Sequence, residues 1–270
     1  MKNTISIFII SIITAFLVYF INNTYELSKD YENTYIKYSK TKTLNNNMQN
    51  EVGNLVNTFM SILLNTKNKT IKDKIDYKKQ LNNIKQNIKT NIIYITSLLF
   101  ITMLLYFILN QTIVLSFLYI QSMVFLIYGL ISPIFLMYVT QEFASSLVIL
   151  QFESNSIISS IQKLFDQNNY FVGGIILLFS IVFPILKTII SFLALHIKNI
   201  NLLSKLSVIS GNLAKLSMTD VFVLSIFLVY LSPKNTGMIK TELQVGFLLF
   251  FTYVIISLFI AILNKNKTKN

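Results

Sequence analysis

Two ionisable side chains of opposite sign, Lys187 and Asp220, lie inside consecutive apolar segments, residues 171–195 and 213–231. A lone charge at membrane depth is costly, so such residues face a bundle interior and find a partner there. Lys187 falls about 12 Å from one end of its segment and Asp220 about 10 Å from the same side, at 1.5 Å per helical residue. The matched depths allow either a buried ion pair that sets helix register or a shared polar pocket. Such a pocket could bind a polar head group or relay a proton. Ser217 and Thr219 add hydroxyls beside Asp220, and Thr188 and Ser191 do so beside Lys187. Lys215, one to two turns from Asp220, is either a pocket member or a cation snorkelling to the interface. Pro184, three residues before Lys187, lacks an N–H; it is expected to kink the helix and expose polar backbone to a cavity.

The composition tells what surrounds these groups. Of the 270 residues, 53% are hydrophobic and only 13% charged, about half the usual charged share of a soluble domain. Several apolar stretches reach the roughly 20 residues that a helix needs to cross a bilayer. Runs such as VGFLLFFTYVIISLFIAIL do not alternate, which excludes a β-barrel. The fold class is therefore all-α: a polytopic helical membrane protein with about six transmembrane helices and a helical ectodomain between the first two.

The formal charge of +12 is carried by lysine alone, and about half of the lysines lie in residues 22–91. Without Arg, bidentate contacts to guanine or phosphate are excluded, and nucleic acid is not an expected partner. There is no Cys, which removes disulfides, thiolate metal sites and Cys nucleophiles. The single His196 suits a membrane-interface position better than a metal site. There is no P-loop and no Gly-rich dinucleotide motif, so no enzyme activity and no cofactor are expected.

Along the chain, residues 5–21 read as an uncleaved anchor, because residues 19–23 offer no small-x-small cleavage site. Residues 22–91 read as helical. Met48, Val52, Leu55, Phe59 and Ile62 form one seam; Tyr77, Leu81, Ile84 and Ile88 form another. Tyr31, Tyr35 and Tyr38 mark a third stretch, with breaks expected at 44–47 and 65–68. Three helices, an odd number, would return the chain to the wrong end of the membrane. Residues 92–109 form the second span, 110–112 a short turn, and 113–139 a long third span. Residues 140–170 suggest an interfacial helix with Ile157, Ile158, Ile161, Leu164 and Phe165 on one face. Spans at 171–195, 213–231 and 245–263 follow, with a turn at 232–242. Lys198 and Lys205 between spans four and five, with Lys265, Lys267 and Lys269 near the end, place both termini in the cytoplasm.

Residues 213–222, LAKLSMTDVF, resemble the signature of the paraquat-inducible protein A family, in which a basic residue, a Ser-Met pair and Asp-Val-Phe open a transmembrane helix. Phe183-Pro184-Ile185-Leu186-Lys187 resembles its Pro-x-x-Lys in the preceding helix. The resemblance covers residues 113–263, one four-helix module. It divides the chain into an anchor, ectodomain and returning span (1–110), a module (111–264) and a short basic tail (265–270). It implies a bacterial inner-membrane protein of a lipid-trafficking system, with membrane lipids and a periplasmic MCE-domain protein as partners. It also implies that Lys187 and Asp220 line a polar site, with Ser217 nearby. Members commonly carry two modules and Cys-rich zinc ribbons. This chain has one module and no Cys, so a homo-oligomer is expected. Leu216 stands where the family often has Trp, and residues 1–110 have no counterpart. A proton- or ion-coupled transporter, or a sensor or scaffold using residues 22–91, are the alternatives.

Overall fold

The computed structural model describes residues 2–51, 60–143, 146–197, 206, 208–212, 225 and 239–267. It is a helical, polytopic membrane fold, as the composition requires, with a small antiparallel sheet at one end. Among the described residues, five helices are long and apolar enough to cross a membrane. The sixth expected span, 213–231, lies outside the described residues except for Ser225.

The first two helices, α1 (Lys2–Glu51) and α2 (Met60–Ile108), correct the expectation of three ectodomain helices. Both are helical straight through residues 44–47 and 65–68, where breaks were expected. Those tracts contain Asn but no Gly or Pro, and an Asn costs a long helix only a fraction of a kcal/mol, roughly 0.7 at most. Two helices also remove the parity problem, since the chain now returns to the end it left. Their antiparallel pairing follows from packing. Leu17 and Ile21 share a core with Ile95 and Leu99, while Tyr31 and Tyr35 cluster with Leu81. At 50 residues, α1 is about 75 Å long, so the pair rises well beyond its membrane part.

Asn110 caps the next helix, α3 (Gln111–Ile131), by accepting from the Thr112 N–H at 3.1 Å. The expected third span, 113–139, is cut short at Ile131. Pro133 disfavours helical geometry at the residue before it, and Ser132 is extended (φ −77°, ψ 149°). The aromatic and β-branched residues that follow pair as strands instead. β1 (Phe135–Phe143) lies between β2 (Ser146–Asn155) and β3 (Ile239–Leu243), in the order β2-β1-β3. Leu136 faces Ser154 on one side and Glu242 on the other. Residues 140–143, 146–155 and 239–242, expected as interfacial helix and turn, are strands instead. Strands with a partner on the same side of the membrane satisfy their backbone without helix formation.

The amphipathic face expected at Ile157–Phe165 is present in α4 (Ile157–Asp166), opened by a Ser156/Ser159 capping box, with Ile157 and Ile161 buried. The next span runs as α5 (Tyr170–Leu177), a π-helical turn (Leu178–Val182) and α6 (Phe183–His196). The last helix is α7 (Val245–Lys267). It approaches α3 at backbone distance: a Cβ on Gly129 would stand 2.8 Å from the Phe250 nitrogen, and one on Gly246 would stand 2.3 Å from the Ser132 carbonyl oxygen.

Candidate functional site

The site is built on α6. Pro184 has no N–H to give to Ser180, and the helix accommodates this by widening just before it. The Phe183 N–H reaches back five residues to the Leu178 carbonyl. The expected irregularity at Pro184 is therefore a π turn. It presents Lys187 and Thr188 toward α7. The Lys187 ammonium donates to Ser257 Oγ at 2.8 Å. Thr188 Oγ1 donates to the Pro184 carbonyl at 2.8 Å and lies 3.4 Å from the Tyr253 hydroxyl. Tyr253, 1% exposed, also reaches the Pro184 carbonyl at 3.4 Å and is hydrogen-bonded to Ser257.

These contacts allow a connected proton inventory. Lys187 gives to Ser257, Ser257 to Tyr253, Tyr253 to Thr188 Oγ1 and the Pro184 carbonyl, both at 3.4 Å, and Thr188 to the Pro184 carbonyl. Each hydroxyl then both accepts and donates. The chain begins at a cation and ends at the carbonyl beside the π turn. Such a connected network satisfies its members far better than the isolated polar groups would manage in an apolar bundle.

Nearer the end of α6, Ser191 pairs with Ser210 and with the Tyr119 hydroxyl of α3. Tyr119 accepts from Asn264 Nδ2 of α7 at 2.7 Å. His196 lies within 3.3 Å of Ser116 Oγ and within 3.1 Å of the Phe192 carbonyl, at the exposed end of the span. The polar face thus continues from Lys187 to the helix end, nine residues or about 14 Å away.

Of the site residues expected from sequence, Pro184, Lys187, Thr188 and Ser191 all belong to this face. Asp220, Ser217, Lys215 and Thr219 lie outside the described residues. Tyr253 and Ser257 were missed, as were Tyr119 and Asn264. For two of them the signal was present: Tyr253 and Ser257 are four residues apart in a span whose only other polar side chain is Thr252, the spacing that puts two side chains on one helix face.

A second polar contact ties the N-terminal hairpin to α3. Gln121, fully buried, donates to Thr14 Oγ1 of α1 at 2.9 Å and accepts from Thr102 Oγ1 of α2 at 3.3 Å.

Helical spans, a polar seam between two of them and a sheet-capped end define a multi-pass membrane protein with an intramembrane polar site. Residues 118–268 match the family model of paraquat-inducible protein A, and the chain belongs to that family. The match leaves out α1, α2 and the start of α3. No curated protein and no solved structure matches the chain.

Proposed function

We propose that this protein is an inner-membrane component of a bacterial envelope lipid-transport system, holding a lipid head group at Lys187 with no covalent step. The observation that carries the reading is the Lys187–Ser257 bond: a cation held at membrane depth by a hydroxyl on another helix, in a chain of this family. A cation at membrane depth suits an anionic head group, because a charge-assisted bond from an ammonium to a phosphate oxygen is among the strong ones. Asp220 would supply the opposing charge that keeps the site from trapping its ligand. Both termini lie on the cytoplasmic side in this reading. The sheet and the rising hairpin face the periplasm, where an MCE-type partner docks.

The ordered donor chain from Lys187 to Pro184 favours a second reading, a proton-coupled transporter using the same residues. Complementation tests the site in either case. Lys187→Ala and Asp220→Asn should insert normally and lose function. Wild-type complementation by both variants would remove the site from the mechanism.

A further inference from the structure

We infer that the span Tyr170–His196 is a mid-membrane gate over the Lys187 site, bending at the π turn Leu178–Val182. The inference rests on the proposed ligand site for its purpose and on packing for its existence.

This span is held near its ends. At its start, α4 lies against Gly173, where an added Cβ would meet the Phe165 ring at 2.7 Å. At its far end, Phe192 packs against the Tyr119 ring with centroids 6.2 Å apart, and His196 meets Ser116. Between these points the span has less support than α3 or α7. Among the described residues, its link to α7 at the level of Lys187 is made by long polar side chains rather than by close backbone packing.

The contrast is with α7 itself. Gly129 and Gly246 bring α7 to backbone contact with α3. The Gln244 N–H bonds the Ile134 carbonyl and the Gly246 N–H bonds the Pro133 carbonyl, each at 2.8 Å. Through the sheet, α7 is tied to the hairpin: Leu136 is buried with Tyr31, Tyr35 and Leu81, and Lys85 meets Glu242 at 3.8 Å. Among the described residues, one side of the seam is therefore braced at backbone distance, whereas the middle of the other meets the core through side chains such as Ile181 and Ile185. A π turn followed by Pro184 is a recognised place for a helix to change direction, since its hydrogen-bond ladder is already interrupted. Bending there separates Lys187 from Ser257 and Tyr253 from Thr188, which opens the seam where the ligand would sit. The hydroxyl chain is the latch.

Because the chain has no Cys, spin labels can be placed by single substitutions. One pair is set at the gate, Leu186→Cys with Ile255→Cys. The other is set at the supported end, Leu193→Cys with Ile262→Cys. All four positions are exposed. Pulsed electron resonance in lipid discs should give a mid-span distance distribution at least about twice as wide as the end pair, as expected for a two-state element. Pro184→Ala, which restores the missing N–H, should narrow it. Equal widths for the two pairs in the otherwise native chain would overturn the gate, without any need for the Pro184 variant. These distances do not depend on lipid capture. A moving gate with no lipid at Lys187 would reject the ligand reading and keep the gate.

Discussion

Lys187 and Ser257, separated by 70 positions in the chain, are joined by a 2.8 Å hydrogen bond across the α6–α7 seam. The bond is charge-assisted, so its two partners are not equivalent under mutation. Ser257→Ala leaves the ammonium without this acceptor and should cost about 1–3 kcal/mol. Lys187→Met removes the charge and keeps an apolar stem of similar length, and should cost less. Thermal unfolding of both variants in the same detergent checks the order. A larger loss for Lys187→Met would mean that the lysine is held mainly by contacts other than Ser257.

Tyr253 and Thr188 sit in series in the same network, so their substitutions should not add. Tyr253→Phe and Thr188→Val, alone and together, should show a coupling of about 0.5–1.5 kcal/mol. Strict additivity would place the two hydroxyls in separate interactions and break the donor chain in the middle.

The close approach of α3 and α7 makes Gly129 and Gly246 sensitive to a single methyl group. An added Cβ at Gly246 would meet the rigid Ser132 carbonyl at 2.3 Å, and one at Gly129 the Phe250 backbone at 2.8 Å. Each Gly→Ala change should cost about 1–3 kcal/mol through forced displacement of backbone. Gly174 has nothing within 4 Å, so Gly174→Ala should be neutral or slightly stabilising, by up to about 1 kcal/mol. Comparing melting temperatures of the three variants tests the helix contact directly.

At the hairpin clamp, the asymmetry of unmade hydrogen bonds sets the order of effects. Gln121→Leu removes the amide, while Thr102 keeps its bond to the Leu99 carbonyl at 2.7 Å. The expected cost is about 0.5–1 kcal/mol, typical of such bonds between membrane helices. Thr14→Val instead strands the buried Gln121 amide and should cost more, about 1–3 kcal/mol. Unfolding measurements that reverse this order would show that the amide finds another acceptor.

The sequence made the membrane class and most span positions legible, because length and continuous apolarity determine them. The face of α4 and the helical seams at Tyr31, Tyr35 and Leu81 were equally readable from spacing. What failed was the reading of apolar continuity past Pro133. Leu136 belongs to a strand, although it continues the same hydrophobic run, and only its partners in β2 and β3 decide that. The Asn-rich tracts failed for the opposite reason: local propensity suggested breaks, but Asn costs a long helix too little to end it. On the site, Lys187 stood out as a charge in an apolar span. Ser257 and Tyr253 did not, because neutral polar residues are tolerated there and gain meaning only across the seam.

The central claim is that Lys187 holds a lipid head group, and in-cell photo-crosslinking tests it most directly. A photoreactive residue would replace Phe192, one turn beyond Lys187 on the path toward Tyr119, in cells grown with radioactive phosphate. The same residue at the lipid-exposed Phe107 of α2 would provide the reference. The expected result is phospholipid labelling at both positions, with Lys187→Ala reducing the label at Phe192 and leaving it unchanged at Phe107. Labelling at Phe192 that is absent, or that does not depend on Lys187 in a correctly inserted protein, would contradict the claim.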